Sequence, residues 1–232
     1  MLGIIGAMDE EVAKIKAQME EVNVTKIAAM DFYEGSIHGY PVVVVRSGIG
    51  KVNAAMCTQI LAVKFNVDAI INTGIAGSLD ANINIGDIVL STDTLEHDMD
   101  AVAFGYPVGQ IPRMETLSFT ADSELRKLAM EVCQNVNPDI SVFEGRVVSG
   151  DQFISDKDKK NWLVETFKGS CTEMEGAAIG HAAYLNNIPF LIIRAISDKA
   201  DDSASVDYPT FEAKAIEHSV RLLLGICEKL NK

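Results

Sequence analysis

The chain has little cysteine, and none of it is arranged in close pairs. Cys57, Cys133, Cys171 and Cys227 are far apart and include no C-x-x-C motif. Four cysteines could form two disulfides, but Met1 is not followed by a basic segment and a long apolar one, so a secretory signal is not indicated. We therefore expect reduced thiols and a cytoplasmic location.

Long apolar runs and basic clusters are also lacking. No run of about 18 apolar residues occurs, so a membrane-spanning helix is not expected. The formal net charge is −13, and no basic cluster is longer than Lys159-Lys160. Proteins that bind nucleic acid normally present a basic patch. Neither nucleic acid nor a membrane is therefore expected as a partner.

The residues that are present suffice for one substantial domain. A chain of 232 residues, 48% of them hydrophobic, fits a single domain spanning 1–232 with one core. Short apolar segments alternate with amphipathic ones, which predicts an α/β sheet covered by helices on both faces. The predicted strands are 2–5, 32–37, 42–46, 69–72, 88–91, 146–149 and 190–195; the predicted helices are 10–21, 52–66, 123–136, 176–186 and 208–230, with a surface helix around Trp162.

Carboxylates recur where the predicted strands end. Glu10 and Glu11 follow the first strand, Glu173 and Glu175 precede the helix at 176, and Asp198 follows the strand at 190–195. Open α/β sheets bind ligands in the crevice beyond the carboxyl ends of their strands. Acids gathered there predict acid/base chemistry on a bond whose cleavage leaves positive charge.

Each acid also has a purely structural interpretation. Those after the first strand could complement a helix dipole, and Asp198 could be an N-cap or a partner of Arg194. Glu173 and Glu175 are two residues apart and precede a helical segment, so we expect only one of them to reach a common pocket. The occurrence of acids at several separate strand ends favours the functional interpretation.

Two further motifs leave alternatives open. The run Gly74-Ile75-Ala76-Gly77 either allows close approach of the backbone to a ligand or forms an ordinary strand-to-loop turn. His97 lies among acids in the segment 96–100, but no second histidine stands at ligand spacing. A solvated or hydrogen-bonded loop is therefore expected at His97 rather than a metal site.

Seven segments, spread over nearly the whole chain, carry a resemblance to one family. They are GIIGAMDEEV at 3–12, SGIGKVN at 47–53, INTGIAG at 71–77, HDMDAVAFGYPVGQIP at 97–112, VSGDQFI at 148–154, EMEGA at 173–177 and RAISD at 194–198. In this order they resemble the bacterial 5′-methylthioadenosine/S-adenosylhomocysteine nucleosidases. Two positions depart from the family pattern, because many members have Ser at Ile75 and Thr at Gly176.

The resemblance implies a fold and an activity. The fold is a nucleoside phosphorylase/hydrolase-like three-layer α/β fold, with a central mixed, barrel-like sheet covered by helices, working as a homodimer. The activity is hydrolysis of the N-glycosidic bond of 5′-methylthioadenosine and S-adenosylhomocysteine, and also of 5′-deoxyadenosine, which releases adenine in methionine salvage. No metal or organic cofactor is implied.

The resemblance also implies roles for particular residues. Glu11 resembles the base that activates the attacking water, and Asp198 the general acid that protonates adenine N7. Glu175 resembles the residue that grips the ribose hydroxyls. The other implied binding residues are Ser197, which holds Asp198; Met174, packed on the sugar; Phe153 and Ile154 at the base; Arg194 and Gly77 at the water and sugar; Met8, Ile49, Phe104, Tyr106 and Tyr208 at the 5′ side; and Pro112 from the partner subunit.

Three rival functions remain open from the sequence. A phosphorylase of the same superfamily would need positive groups for phosphate, whereas Asp9, Glu10 and Glu11 follow the first glycine loop. A hydrolase of futalosine-type nucleosides would differ in its 5′ pocket. A non-catalytic nucleoside-binding module would not require both Glu11 and Asp198.

Overall fold

Ten strands form one mixed sheet, half of which closes on itself. The computed structural model describes all 232 residues. The strands are β1 (Leu2–Gly6), β2 (Glu20–Ile27), β3 (Met30–Ile37), β4 (Tyr40–Arg46), β5 (Ala69–Ser78), β6 (Ile88–Glu96), β7 (Phe119–Thr120), β8 (Val142–Ser149), β9 (Cys171–Glu173) and β10 (Phe190–Asp198). The helices are α1 (Asp9–Lys16), α2 (Lys51–Lys64), α3 (Ser123–Val136), α4 (Lys157–Phe167), α5 (Gly176–Leu185) and α6 (Ala204–Leu230).

The closed part of the sheet is a ring of five strands. Its order is β10-β6-β8-β9-β5, and β10 then pairs with β5 to complete the circle. The β5–β10 pair is parallel, whereas β10–β6 and β5–β9 are antiparallel. From β5 the sheet continues outward through β1, β4, β3 and β2. The predicted α/β fold with a barrel-like mixed sheet covered by helices is confirmed.

The strands at the centre are buried along their whole length. Every residue of β10 is buried, and only Ala69 of β5 is partly exposed. Strands buried on both faces read as continuous apolar runs, as Ile70–Ile71 and Leu191–Ile193 do. A second, smaller apolar cluster packs Ile154 against Leu163 and Ala200. This cluster supports the segments after β8 and β10, both of which reach the candidate site.

Several predicted boundaries and one predicted environment are corrected by the structure. The first helix ends at Lys16 rather than at Glu21, and β2 follows it. The run from Gly74 lies inside β5 and is not a strand-to-loop turn. His97 is neither solvated nor hydrogen-bonded through its ring, because the side chain is buried with no partner on either nitrogen. That burial lowers the pKa of His97.

None of the helices combines the length and the apolar character needed to cross a membrane.

Candidate active site

A cavity of about 560 Å³ opens where β1, β5, β9 and β10 end. Four of its lining residues carry carboxylates, and none carries a basic side chain. The lining residues are Ala7, Met8, Glu11, Ile49, Ile75, Ala76, Gly77, Phe153, Thr172, Glu173, Met174, Glu175, Ser197, Asp198, Ser205, Tyr208 and Pro209. A small side pocket next to Phe153 and Asp198 is also lined by Gln152 and Ile154. The fixed charge facing this space is therefore entirely acidic.

Glu11 lies in the first turn of α1 and folds back toward the end of β1. Its Oε2 accepts hydrogen bonds from the amides of Ala7 at 2.6 Å and Met8 at 3.0 Å, and its Oε1 accepts one from Ile75 at 3.3 Å. Burial raises the pKa of Glu11, while Arg194 and these amides oppose the rise. A carboxylate with a raised pKa is suited to taking a proton near neutral pH.

Asp198 is the last residue of β10 and lies at the junction of the cavity and its side pocket. Its carboxylate accepts hydrogen bonds from the Ala200 amide at 2.8 Å and the Ser197 hydroxyl at 2.9 Å. Burial raises the pKa of Asp198 against these hydrogen bonds, and the charges of Asp207 and Asp201 raise it further. A carboxyl group in this environment is suited to holding a proton and donating it.

Glu173 and Glu175 both line the cavity, so the prediction that only one of them would do so is wrong. The side chains nevertheless differ in their partners. Glu173 forms an ion pair with Arg194 and accepts hydrogen bonds from Ser149 and the Gly176 amide. These groups hold the Glu173 carboxylate in place, and Glu173 in turn fixes the Arg194 side chain behind the cavity. Sequence reasoning noted Glu173 beside Glu175 but did not select it.

Glu175 has fewer partners and a strongly shifted pKa. Its Oε1 accepts a hydrogen bond from the Gly50 amide at 2.8 Å, and its Oε2 lies 3.9 Å from the Arg194 guanidinium. Burial, and then the neighbouring Glu173 charge, raise the pKa of Glu175 to about 7. Glu175 lines the cavity, where its carboxyl can hydrogen-bond a polar ligand.

Arg194 lies behind the cavity wall and does not line the cavity. It is almost fully buried and contacts Glu173 and Asn72. The alternative that Asp198 pairs with Arg194 is therefore wrong. A Cβ atom at Gly74 would lie 2.3 Å from the Arg194 guanidinium and 2.7 Å from Glu11 Oε1, so only glycine fits between these groups. Arg194 thus acts on the site through its positive charge, which opposes the rise in the pKa values of Glu11 and Glu175.

Apolar side chains wall the remaining sides of the cavity. The rings of Phe153 and Tyr208 meet edge to face at 5.9 Å, and the Tyr208 hydroxyl donates a hydrogen bond to Glu212 at 3.1 Å. Phe153 is 52% exposed, which leaves a face free for stacking on a planar ligand. The predicted Met8, Ile49, Met174, Ser197 and Gly77 also line the cavity.

Four of the predicted binding residues, Arg194 among them, line neither the cavity nor its side pocket within one chain. Phe104, Tyr106 and Pro112 are absent from its lining, and Phe104 is 83% exposed. Conversely, the cavity includes Ser205 and Pro209, which sequence reasoning missed. Ser205 lies three residues before Tyr208 and four before Pro209 in α6, and residues three or four apart on a helix share a face.

The chain is similar in sequence and in structure to several known proteins. The sequence model of the phosphorylase superfamily matches residues 1–228. A 5′-methylthioadenosine/S-adenosylhomocysteine nucleosidase of an Exiguobacterium species is 39% identical over 232 residues, covering 100% of this chain and 99% of the relative. The solved nucleosidase of Neisseria meningitidis in complex with methylthio-immucillin-A is 35% identical, with a TM-score of 0.94 and 98% of each chain covered. The futalosine hydrolase of Helicobacter pylori is 31% identical, with a TM-score of 0.93 and coverage of 98% and 97%.

Proposed function

Because the chain belongs to the 5′-methylthioadenosine/S-adenosylhomocysteine nucleosidase family of the phosphorylase superfamily, we propose that it hydrolyses the N-glycosidic bond of these two nucleosides. The products are adenine and the corresponding 5-thioribose, and 5′-deoxyadenosine is a further expected substrate. The observation that carries this proposal is the pair of buried acids, Glu11 and Asp198, in one cavity whose lining charge is negative. Methionine salvage is the setting in which such an enzyme acts.

Asp198 supplies the proton that adenine needs in order to leave. Adenine is a poor leaving group as an anion, and protonation at N7 makes it neutral. As the bond between C1′ and N9 breaks, its electron pair moves to the base, and the ribose becomes oxocarbenium-like. The raised pKa of Asp198 keeps the proton available for transfer. Phe153 stacks on the base, and the Ile154 backbone contacts its edge.

Glu11 activates the water that completes the reaction. The water oxygen bonds to C1′ as its proton passes to the Glu11 carboxylate, which balances the proton given up by Asp198. Glu175 holds the ribose hydroxyls, and the buried negative charges around the sugar stabilise the positive ring. General acid and base assistance is typically worth about 10²–10⁴-fold for each group.

Water is a better nucleophile than phosphate for this cavity. Two unit charges about 4 Å apart interact by about 4 kcal/mol at an effective dielectric near 20. A phosphate dianion placed near Glu11 would meet that repulsion, and the guanidinium of Arg194 is already paired with Glu173. Water carries no such penalty.

The test is to incubate methylthioadenosine with the enzyme, with and without saturating phosphate, and to identify the sugar product. Free 5-methylthioribose, formed at the same rate in both cases, is the expected result. Methylthioribose 1-phosphate as the main product would assign the chain to phosphorolysis instead.

A second candidate substrate is futalosine, favoured by the likeness to the Helicobacter pylori hydrolase. The same acids would serve, since only the 5′ substituent differs. Comparing kcat/KM for base release from futalosine and from methylthioadenosine decides between the two. A higher value for futalosine would replace the proposed substrate while keeping the proposed chemistry.

The enzyme is further proposed to act as a homodimer in the cytoplasm. Apolar side chains on neighbouring helices α2 and α5 are exposed, among them Val52 at 71% and Leu185 at 63%. Phe104 is exposed as well and does not line the cavity of its own chain. Burying such a surface against a second copy is favourable, and segment 104–112 would then contribute to the partner's cavity. All four cysteines are unpaired, which suits a reducing compartment.

A further inference from the structure

Lys51 is a nearly enclosed cation just outside the candidate active site. Its Nζ lies 2.7 Å from Asp98 Oδ1 and 3.0 Å from Glu96 Oε2, and its side chain is 19% exposed. Lys51 is also the first residue of α2, where the helix dipole disfavours a positive charge. The two carboxylates offset that unfavourable placement.

The same residue ties together segments that follow three different strands. Its backbone amide donates a hydrogen bond to Asp151 Oδ1 at 2.9 Å, and the Asp151 amide donates one to Asp98 Oδ2 at 3.0 Å. Glu96, on the other side of the ammonium, also lies 3.2 Å from His181 Nδ1 of α5. The start of α2 is thereby fixed against the ends of β6 and β8.

The adjacent peptide unit belongs to the site itself. Gly50, immediately before Lys51, donates its amide hydrogen bond to Glu175 at 2.8 Å. Gly50 has a φ of +94°, which glycine adopts without strain. Because glycine is free to adopt many backbone conformations, the one seen here is fixed by the contacts of the residues beside it. Lys51 is the residue immediately after Gly50, and its side chain is held by Asp98 and Glu96.

The charges of the cluster persist across the neutral pH range. Burial alone would lower the pKa of Lys51, but the hydrogen bonds that its ammonium donates to Asp98 and Glu96 outweigh burial and raise the pKa. Burial would raise the pKa values of Glu96 and Asp98, yet the contacts with Lys51, and for Glu96 also with His181, lower both. Removing the ammonium would leave two partly buried carboxylates facing each other without their shared cation.

We propose that Lys51 is a positioning residue for the nucleoside sugar: clamped by Asp98 and Glu96, it fixes Gly50 so that the Gly50 amide orients the Glu175 carboxyl toward the ribose. The inference rests on the proposed function, because it assumes that Glu175 holds the ribose. Lys51 touches neither substrate nor reacting atoms, and its effect passes through one backbone amide.

The experiment compares Lys51→Met with Lys64→Met, a matched change of an exposed lysine at the other end of the same helix. For each variant, kcat and KM for methylthioadenosine are measured, together with the inhibition constant of free adenine. Adenine has no sugar and cannot contact Glu175. Lys51→Met is expected to lower kcat/KM at least tenfold while the adenine constant stays within twofold, and Lys64→Met to change neither. Lys51→Arg, which keeps the charge, is expected to remain within threefold of the parent.

Two results would overturn the proposal. One is a kcat/KM within threefold of the parent for Lys51→Met; the other is an equal loss of adenine affinity, which would mean a general disturbance of the site. If Lys51→Met does not fold, Asp98→Asn removes one of the two anionic partners while keeping the acceptor for the Asp151 amide. It is expected to lower kcat/KM at least threefold, and a change below twofold would reject the role.

The proposed function can fail separately from this inference. If the parent enzyme released no adenine, hydrolysis would be rejected. The affinities of Lys51→Met and of the parent for methylthioadenosine and adenine would then be measured by calorimetry and compared. A selective loss of affinity for the nucleoside would uphold the positioning role, and equal affinities would reject it.

Discussion

At the scale of single residues, the site depends on acids whose charged forms are disfavoured by burial. Asp198→Asn keeps the size of the side chain and its acceptor for the Ala200 amide, but an amide cannot deliver a proton. We expect kcat to fall at least about 10²-fold, with nucleoside affinity retained. Adenine release and calorimetric binding check this, with the exposed Asp202→Asn as control. A loss of less than tenfold would remove Asp198 from the acid role.

The raised pKa of Glu175 makes the stability of the folded protein depend on pH. Its pKa rises from the usual 4.5 to about 7 in the folded protein, so between these values the folded state holds a proton that the unfolded state has lost. The stability contribution of this group therefore falls as pH increases from about 4.5 to 7. Glu175→Gln, neutral at every pH, should be more stable than the parent at pH 8 by up to about 3 kcal/mol, with no difference below pH 4.5. Denaturant unfolding at the two pH values measures this, and a stability difference independent of pH would contradict it.

At the scale of elements, α4 contacts the segment that follows Asp198. Lys160 of α4 hydrogen-bonds the Lys199 carbonyl and lies 3.4 Å from Asp201, one of the charges that raise the pKa of Asp198. Lys160→Met leaves the Asp201 charge uncompensated, which should raise that pKa further. Because the acid must be protonated, the alkaline limb of kcat/KM should move to higher pH. Lys157→Met, on the exposed side of the same helix, should leave the pH profile unchanged, and a shift to lower pH for Lys160→Met would contradict the mechanism.

The central strands could be predicted from the sequence because they are buried on both faces. The runs in β5 and β10 are continuous and apolar, and Asp198 ends the second of these strands. The outer strand β2 could not be predicted in this way, since nearly all of its residues are exposed and it has no apolar pattern. Its first two residues, Glu20 and Glu21, fall within the helix that the sequence predicts over 10–21.

The side of the sheet that a residue faces was harder to predict than its position along the strand. On a regular strand, Arg194 and Asp198 would share a face. The pairing of β10 with β5 shifts register between Ile196 and Asp198, and Arg194 is buried beside Glu173 while Asp198 lines the cavity. Nothing in the local sequence marks such a shift. The contact of Gly50 with Glu175, separated by 125 residues, is equally invisible to a local pattern.

At the scale of the whole molecule, the exposed apolar side chains on α2 and α5 bear on the oligomeric state. Val52→Glu is expected to convert a dimer of the 25.1 kDa chain into a monomer, because a charge would be buried at the contact. Val52 is 71% exposed, so the fold of one chain should tolerate the change. The control is Val24→Glu, because Val24 is 54% exposed on the outer strand β2. Light scattering measures the mass, and a fully active monomeric parent would refute the shared cavity.

The ring of five strands also constrains how the chain can be made. β10 closes the ring between β5 and β6, and it is the last strand to leave the ribosome. Until Phe190–Asp198 has been translated, β5 and β6 each present an open edge that could pair with another nascent chain. Asp198 is made with that final strand, so a translation product that ends before it lacks one of the four acids of the cavity. The strand that covers the open edges of β5 and β6 is therefore also the strand that supplies the last acid of the cavity.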